Sequence, residues 1–216
     1  MKILSGSGEK ESREEPTNSE ISNAFKQALR IGSENVVAQL GQKNGFNDDP
    51  AVHIPLPEKL DTVKSALNKI GLSSLTENLE LKLNRAAEKA TPEAKKLFLQ
   101  AIKNMTFEDV MNIYKGPEDS ATKYFKNSMS GALAEEMRPI VKNSLSSVGA
   151  VKTYNRVMDE YNSIPLVPDA KADLAGYVTN EAMDGIFYYM AEEEAAIREN
   201  PAKQTTELLK RVFGSE

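Results

Sequence analysis

The chain has 216 residues, with 32 acidic against 27 basic side chains, a net charge of −5, one histidine and no cysteine. Lack of cysteine excludes disulfides, thiolate metal sites, iron–sulfur clusters and a cysteine nucleophile, and Lys and Arg interspersed with acids do not form the basic face of a nucleic-acid binder. No run approaches the ~20 apolar residues of a membrane span, and a chain of this length buries roughly 70% of its unfolded surface, so it is expected to fold without staples.

Residues 1–16 read as a polar, flexible tail without the apolar stretch of a signal peptide. Thr17 and Glu20 have capping-box spacing. They open a helix carrying Ile21, Phe25, Ala28, Leu29, Val36 and Leu40, which Gly41 stops. Residues 41–57 hold Asn44-Gly45, Asp48-Asp49-Pro50 and Pro55-Leu56-Pro57, so no helix runs through them. A loop this long inside a compact domain is functional or pinned, which makes it the first place to look for a site. Pro57 opens the next helix, to Ile70, and Gly71 ends it. Ser74 with Glu77 starts a helix bearing Leu75, Leu79, Leu83, Ala86 and Ala90.

Thr91-Pro92-Glu93 predicts a fresh start, with Leu97, Phe98, Ala101 and Ile102 following. Thr106 with Asp109 begins another helix, and Gly116 stops it. A long helix from Pro117 carries Tyr124, Phe125, Met129, Leu133 and Met137. Arg138-Pro139 is expected to break or kink it before a second half with Ile140, Val141 and Leu145 runs to Gly149. A helix over 151–162, a proline-bounded linker over 164–168 and a short helix over 173–178 come next. Thr179 caps a long helix to about Glu199, and Asn200-Pro201 caps the last, which ends at Phe213 and Gly214.

The expected fold is therefore all-α: an irregular bundle of about nine or ten helices in one domain over 17–216, joined by short connections. Its centre is the helix 179–199, whose Ala182, Met183, Ile186, Phe187, Tyr188, Tyr189 and Met190 leave little polar surface in the first half. Glu192-Glu193-Glu194 marks where it emerges. Neighbours on a helix point about 100° apart, so at most one or two of these acids turn inward toward a buried Arg.

Several segments together resemble a known bacterial family. They are Ala28-Leu29-Arg30-Ile31-Gly32, the run from Asp49 to Pro57, and Asn84-Arg85-Ala86-Ala87-Glu88. Further along come Arg138-Pro139-Ile140-Val141, Tyr177-Val178-Thr179, the run from Met190 to Glu194, and the run from Leu208 to Gly214. The family is known as domain of unknown function 4197, and the resemblance covers roughly Ser19 to Gly214. It implies a Gram-negative source and, in most members, an export signal. Expected localisation is thus periplasmic or cell envelope, or cytoplasmic if Met1 is the native start. The resemblance implies no activity and transfers no catalytic residue.

One histidine excludes a paired Glu-x-x-His di-iron site and a two-histidine zinc-protease motif. A Ser-His-Asp triad needs only one, and His53 has Asp48 and Asp49 nearby in sequence. No Gly-x-Ser-x-Gly elbow or strand is present to complete it. His53 in its proline-stiffened loop is expected to bond to backbone; the alternative is a hydrolase-like enzyme using His53 with nearby carboxylates. Asn47-Asp48-Asp49 lacks the calcium-loop pattern. No glycine-rich loop follows a strand, so nucleotide binding has no support.

Arg85 and Glu88, three apart, can pair on their helix. Asp184 lies among apolar residues and is costly to bury alone, so it is expected to meet Arg85 or Arg138 in an interior ion pair that clamps helix register. Candidate ligand-binding residues are His53, Asp49, Arg85, Arg138 and Asp184; no catalytic residue, metal or cofactor is assigned. The 8 Met, 7 Tyr and 7 Phe fill a core or line a groove. The expected function is a non-enzymatic cell-envelope binding or structural protein, with an apolar groove for a lipid or a partner segment.

Overall fold

A computed structural model describes residues 17–199 together with Thr206 and Lys210. The expected tail over 1–16, the last helix over 200–213 and the core placement of Met129 lie outside the described residues. The fold class is all-α, as the helix punctuation predicts. Seven α-helices and one 3-10 turn follow in order among the described residues. They are α1 (Asn18–Leu40), the turn Glu58–Leu60, α2 (Asp61–Lys69), α3 (Ser73–Asn104), α4 (Phe107–Tyr114), α5 (Ser120–Ser147), α6 (Ala150–Asn162) and α7 (Leu174–Glu199).

Among the described residues the helices are fewer than the sequence predicts because expected breaks are bridged. Pro92 sits inside a continuous α3 and Pro139 inside a continuous α5. A proline removes one helical donor and crowds the preceding turn, at about 3 kcal/mol in isolation. Each of these helices is long, with apolar residues buried on both sides of its proline: Ala86, Ala87 and Ala90 before Pro92, and Ala94, Phe98 and Ala101 after it. The Pro92 ring also has a partner. A Cβ added to Gly41 would stand 2.9 Å from Pro92 Cγ, so glycine at the end of α1 lets the ring approach. The short helix expected over 173–178 is simply the first turns of α7. There Asp173 accepts the Gly176 N–H at 3.0 Å, as an N-cap does.

Two of the three expected capping boxes form; the Ser74–Glu77 spacing yields none, because the chain turns at Gly71 with φ +77° and α3 already begins at Ser73, with Leu72 as an N-cap that makes no side-chain bond. Thr17 and Glu20 close the start of α1, and Thr106 and Asp109 the start of α4. One contiguous apolar cluster runs from Phe25 to Met190. Its centre holds Phe98, edge-on to Phe125 at 6.5 Å and to Phe187 at 6.0 Å between centroids. α3 touches α1, α2, α5, α6 and α7, and α7 touches α1, α3 and α5. α7 buries Val178, Ala182, Met183, Ile186, Phe187 and Met190 against these neighbours, while Asp184 and Tyr188 face solvent. No helix is long and apolar enough to cross a membrane among the described residues.

Candidate functional site

α3 carries Glu80, Asn84 and Glu88 four residues apart, which stacks them on one face. Residues 41–57 lie across that face. Three prolines and an irregular path leave this segment without a regular backbone ladder, so its buried N–H groups need side-chain acceptors. The stripe supplies them. The Asn84 amide is fully buried; it donates to the Ile54 carbonyl at 2.8 Å and accepts the Ile54 N–H at 2.9 Å. Glu88 is 4% exposed. Its Oε1 accepts the N–H groups of Phe46 at 3.3 Å and Asn47 at 3.2 Å, and its Oε2 accepts from Arg85 at 2.6 Å. Arg85 also donates to the Asn44 side-chain oxygen, and Asn44 holds the left-handed φ of +73°.

At the outer end of the stripe, Glu80 Oε2 accepts the Leu56 N–H at 3.2 Å and lies 3.7 Å from Lys64 Nζ. Its Oε1 is 3.1 Å from His53 Nε2, while His53 Nδ1 is 2.8 Å from the Asn47 carbonyl. Both ring nitrogens are thus directed at protein oxygens rather than at a cleft. His53 bonds to backbone as expected, and its carboxylate partner is Glu80 rather than Asp48 or Asp49.

α7 closes the other side of the segment. The Tyr189 hydroxyl donates to the Asp49 carboxylate, and Asp49 also accepts the Ala51 N–H at 3.0 Å. The Tyr177 hydroxyl donates to the Pro55 carbonyl at 3.1 Å. The bond to Asp49, then burial, pushes the Tyr189 phenol up to about 12. Burial, then the charges of Glu181, Glu80 and Glu58, pushes Tyr177 up to about 12. Between these tyrosines, a Cβ on Gly185 would stand 2.9 Å from the Phe46 ring and 3.2 Å from Val52 Cβ. Glycine there lets the segment lie directly on α7.

Of the candidate residues, His53, Asp49 and Arg85 are therefore brought together around one segment, and Arg138 and Asp184 are not. Asp184 is not interior: its side chain is 62% exposed and pairs with Lys126 at 3.0 Å. Arg138 pairs with Asp173, both more than half exposed. The expected interior ion pair of Asp184 with Arg85 or Arg138 is corrected accordingly. Asp184 falls on the outward stripe Asn180–Asp184–Tyr188, where a helical period returns to solvent. The role of Glu80 was missed at the sequence level, although its spacing from Asn84 and Glu88 carries the signal.

A second polar cluster is genuinely buried. Of the three consecutive acids, Glu194 turns inward and pairs with Arg198 at 3.0 Å. Its carboxylate accepts the Ala121 and Thr122 N–H groups at 2.9 and 3.0 Å, capping the start of α5 from another helix. Arg198 donates to the Ile113 carbonyl in the last turn of α4 at 3.0 Å and stacks 5.4 Å from the Phe25 centroid. Beside this pair Phe25, Leu29, Met190 and Ile197 line an apolar cavity of about 20 Å³, room for one water. A wider groove of about 550 Å³ lies between α6 and the linker to α7. Among the described residues no three of His, Asp and Glu converge as metal ligands would.

The sequence profile of a family described as "Protein of unknown function (DUF4197)" matches residues 15–214. Neither a curated protein nor a solved structure matches the chain.

Proposed function

The chain belongs to the DUF4197 family, and from that premise we propose that it is a non-enzymatic binding or structural protein of the Gram-negative cell envelope. One observation carries this reading. The polar groups best suited to chemistry spend their hydrogen bonds on holding residues 41–57 to α3 and α7. A catalytic group must reach the atom it acts on, and His53, Glu88, Arg85 and Asp49 point at backbone and at one another. Such a network makes a rigid support for a surface rather than a reaction centre.

The ligand of that surface is a protein segment rather than a lipid. Ligand pockets enclose roughly 300–1,000 Å³ and are mostly apolar; the apolar cavity beside Met190 offers about 20 Å³, and the groove of about 550 Å³ beside α6 is lined by Asn155, Asp159, Asn162, Asp169 and Lys171, polar groups that an acyl chain would leave without partners. The hydrolase alternative draws on a single contact, the Glu80 carboxylate 3.1 Å from His53 Nε2 at a half-exposed edge. Native mass spectrometry of gently purified protein tests the proposal. Bare polypeptide masses, or complexes with another polypeptide, are the expected result, whereas a retained acyl-chain mass would sink the preference for protein over lipid. Turnover of simple esters that disappears in His53→Asn would replace the binding reading with the hydrolase.

A further inference from the structure

The sequence holds one Asn-Gly pair, Asn44-Gly45, near the start of the segment that α3 and α7 hold down. Asparagine is thermolabile, most of all before glycine, where no side chain shields the following main-chain nitrogen from the carboxamide. The folded arrangement blocks that attack. Asn44 sits at φ +73° in a turn closed by the Gly45 N–H, which donates to the Gln42 carbonyl at 3.0 Å. Its carboxamide is held at both ends: the oxygen accepts from Arg85, and the nitrogen donates to Asp48. A nucleophile reacts only from a near-attack geometry, and these bonds commit the Gly45 nitrogen and the Asn44 carboxamide to other partners.

Reaction therefore waits for the segment to lift, a local opening rather than global unfolding. We propose that Asn44-Gly45 is a deamidation site gated by the seating of residues 41–57, and that the reaction, once it has occurred, holds the segment open. The Gly45 nitrogen bonds to Asn44 Cγ, the Cγ–Nδ2 bond breaks, and the proton lost by Gly45 leaves with the departing nitrogen as ammonia. Water then opens the cyclic imide. Opening at Cγ gives aspartate. Opening at the main-chain carbonyl gives isoaspartate, whose backbone runs through the former side chain and is one carbon longer.

The seated turn has no room for that carbon. A Cβ on Gly45 would already stand 2.5 Å from the Leu40 carbonyl oxygen and 2.6 Å from that of Gln39. Either product also replaces the N–H donor that Asp48 accepts with a carboxylate, so that like charges meet where a hydrogen bond stood.

The test incubates the full chain in mildly alkaline buffer, folded or unfolded in urea, and follows deamidation at Asn44 by peptide mass mapping. The natural folded chain should react at least about tenfold more slowly than the unfolded one, because it reacts only while the segment is open. Two variants, in their folded state, should each react faster than the natural chain. Arg85→Gln releases the carboxamide oxygen and frees Glu88 from its partner, whereas Tyr189→Phe removes the bond to Asp49 and leaves the contacts of Asn44 alone. Tyr189→Phe decides the matter should Arg85→Gln fail to fold. The isoaspartyl chain, separated by ion exchange, should exchange the amides of residues 46–54 at least about tenfold faster than the unmodified chain. Equal rates in folded and unfolded chains, a folded variant that reacts no faster than the natural chain, or unchanged amide protection after modification overturns the proposal.

Discussion

Asn84 shows most directly how one side chain stands in for secondary structure. Its amide gives Ile54 both a donor and an acceptor, as a neighbouring strand would. Asn84→Ala leaves two buried backbone groups unpaired and should destabilise by about 2–4 kcal/mol in urea unfolding. Asn84→Leu, which restores volume but not the amide, should rescue little. Tyr189 makes a prediction in alkali. Its phenol is held up to about 12, against 10.0 ordinarily, mainly by its bond to Asp49. A group whose folded value is raised contributes stability that is complete below the unfolded value and is lost as pH climbs to the folded one. Stability should therefore fall between pH 10.0 and about 12, and Tyr189→Phe should flatten part of that fall. Absorbance titration of the tyrosines should place Tyr189 and Tyr177 in the late-ionising group; Tyr189 ionising with the exposed tyrosines would remove the Asp49 bond from the account.

At the scale of elements, capping and close approach decide where helices start and how nearly they pass. Thr106→Ala removes the cap of α4 and should cost about 1 kcal/mol in thermal unfolding. The Thr106 hydroxyl bond also holds the Asp109 carboxyl below its ordinary 3.8. A depressed carboxylate contributes stability above its unfolded value and loses it as pH falls through the folded one. The gap between natural and Thr106→Ala protein should thus narrow as pH drops below 3.8. Gly185→Ala tests a different element contact. Its new methyl would meet Phe46 at 2.9 Å and Val52 at 3.2 Å. Overpacking of this kind destabilises by about 1–3 kcal/mol, and hydrogen exchange should speed up in residues 46–54 before it does in α7. Equal protection in both proteins would mean that the segment shifts without loss.

For the whole molecule, the Glu194–Arg198 pair joins elements far apart in sequence. One carboxylate caps α5, one guanidinium satisfies α4, and both belong to α7. Glu194→Ala strands Arg198, whose Nε is already buried without a partner among the described residues, and should cost about 3–5 kcal/mol. The double change Glu194→Met with Arg198→Met should be milder than the single one, because no charge is left uncompensated. A double variant at least as unstable as the single would show that capping, not charge burial, carries the cluster.

The all-α class, two of the three expected capping boxes, the irregular segment 41–57 and the local Arg85–Glu88 pair were legible in the sequence, because each depends on residues within a few positions of one another. The continuity of α3 and α5 through Pro92 and Pro139 was not, since a proline's local penalty is outweighed only by packing that the helix meets elsewhere. The site divided along the same line. Sequence singled out His53, Asp49 and Arg85, but their partners Glu80, Tyr189 and Asn44 stand 27, 140 and 41 positions away. Asp184 reads as interior from its apolar neighbours, yet which arc of α7 meets solvent depends on where α1, α3 and α5 stop covering it. Local hydrogen bonding and periodicity thus determined the elements, while the tertiary structure alone decided which polar groups face one another, because that depends on distances no spacing along the chain encodes.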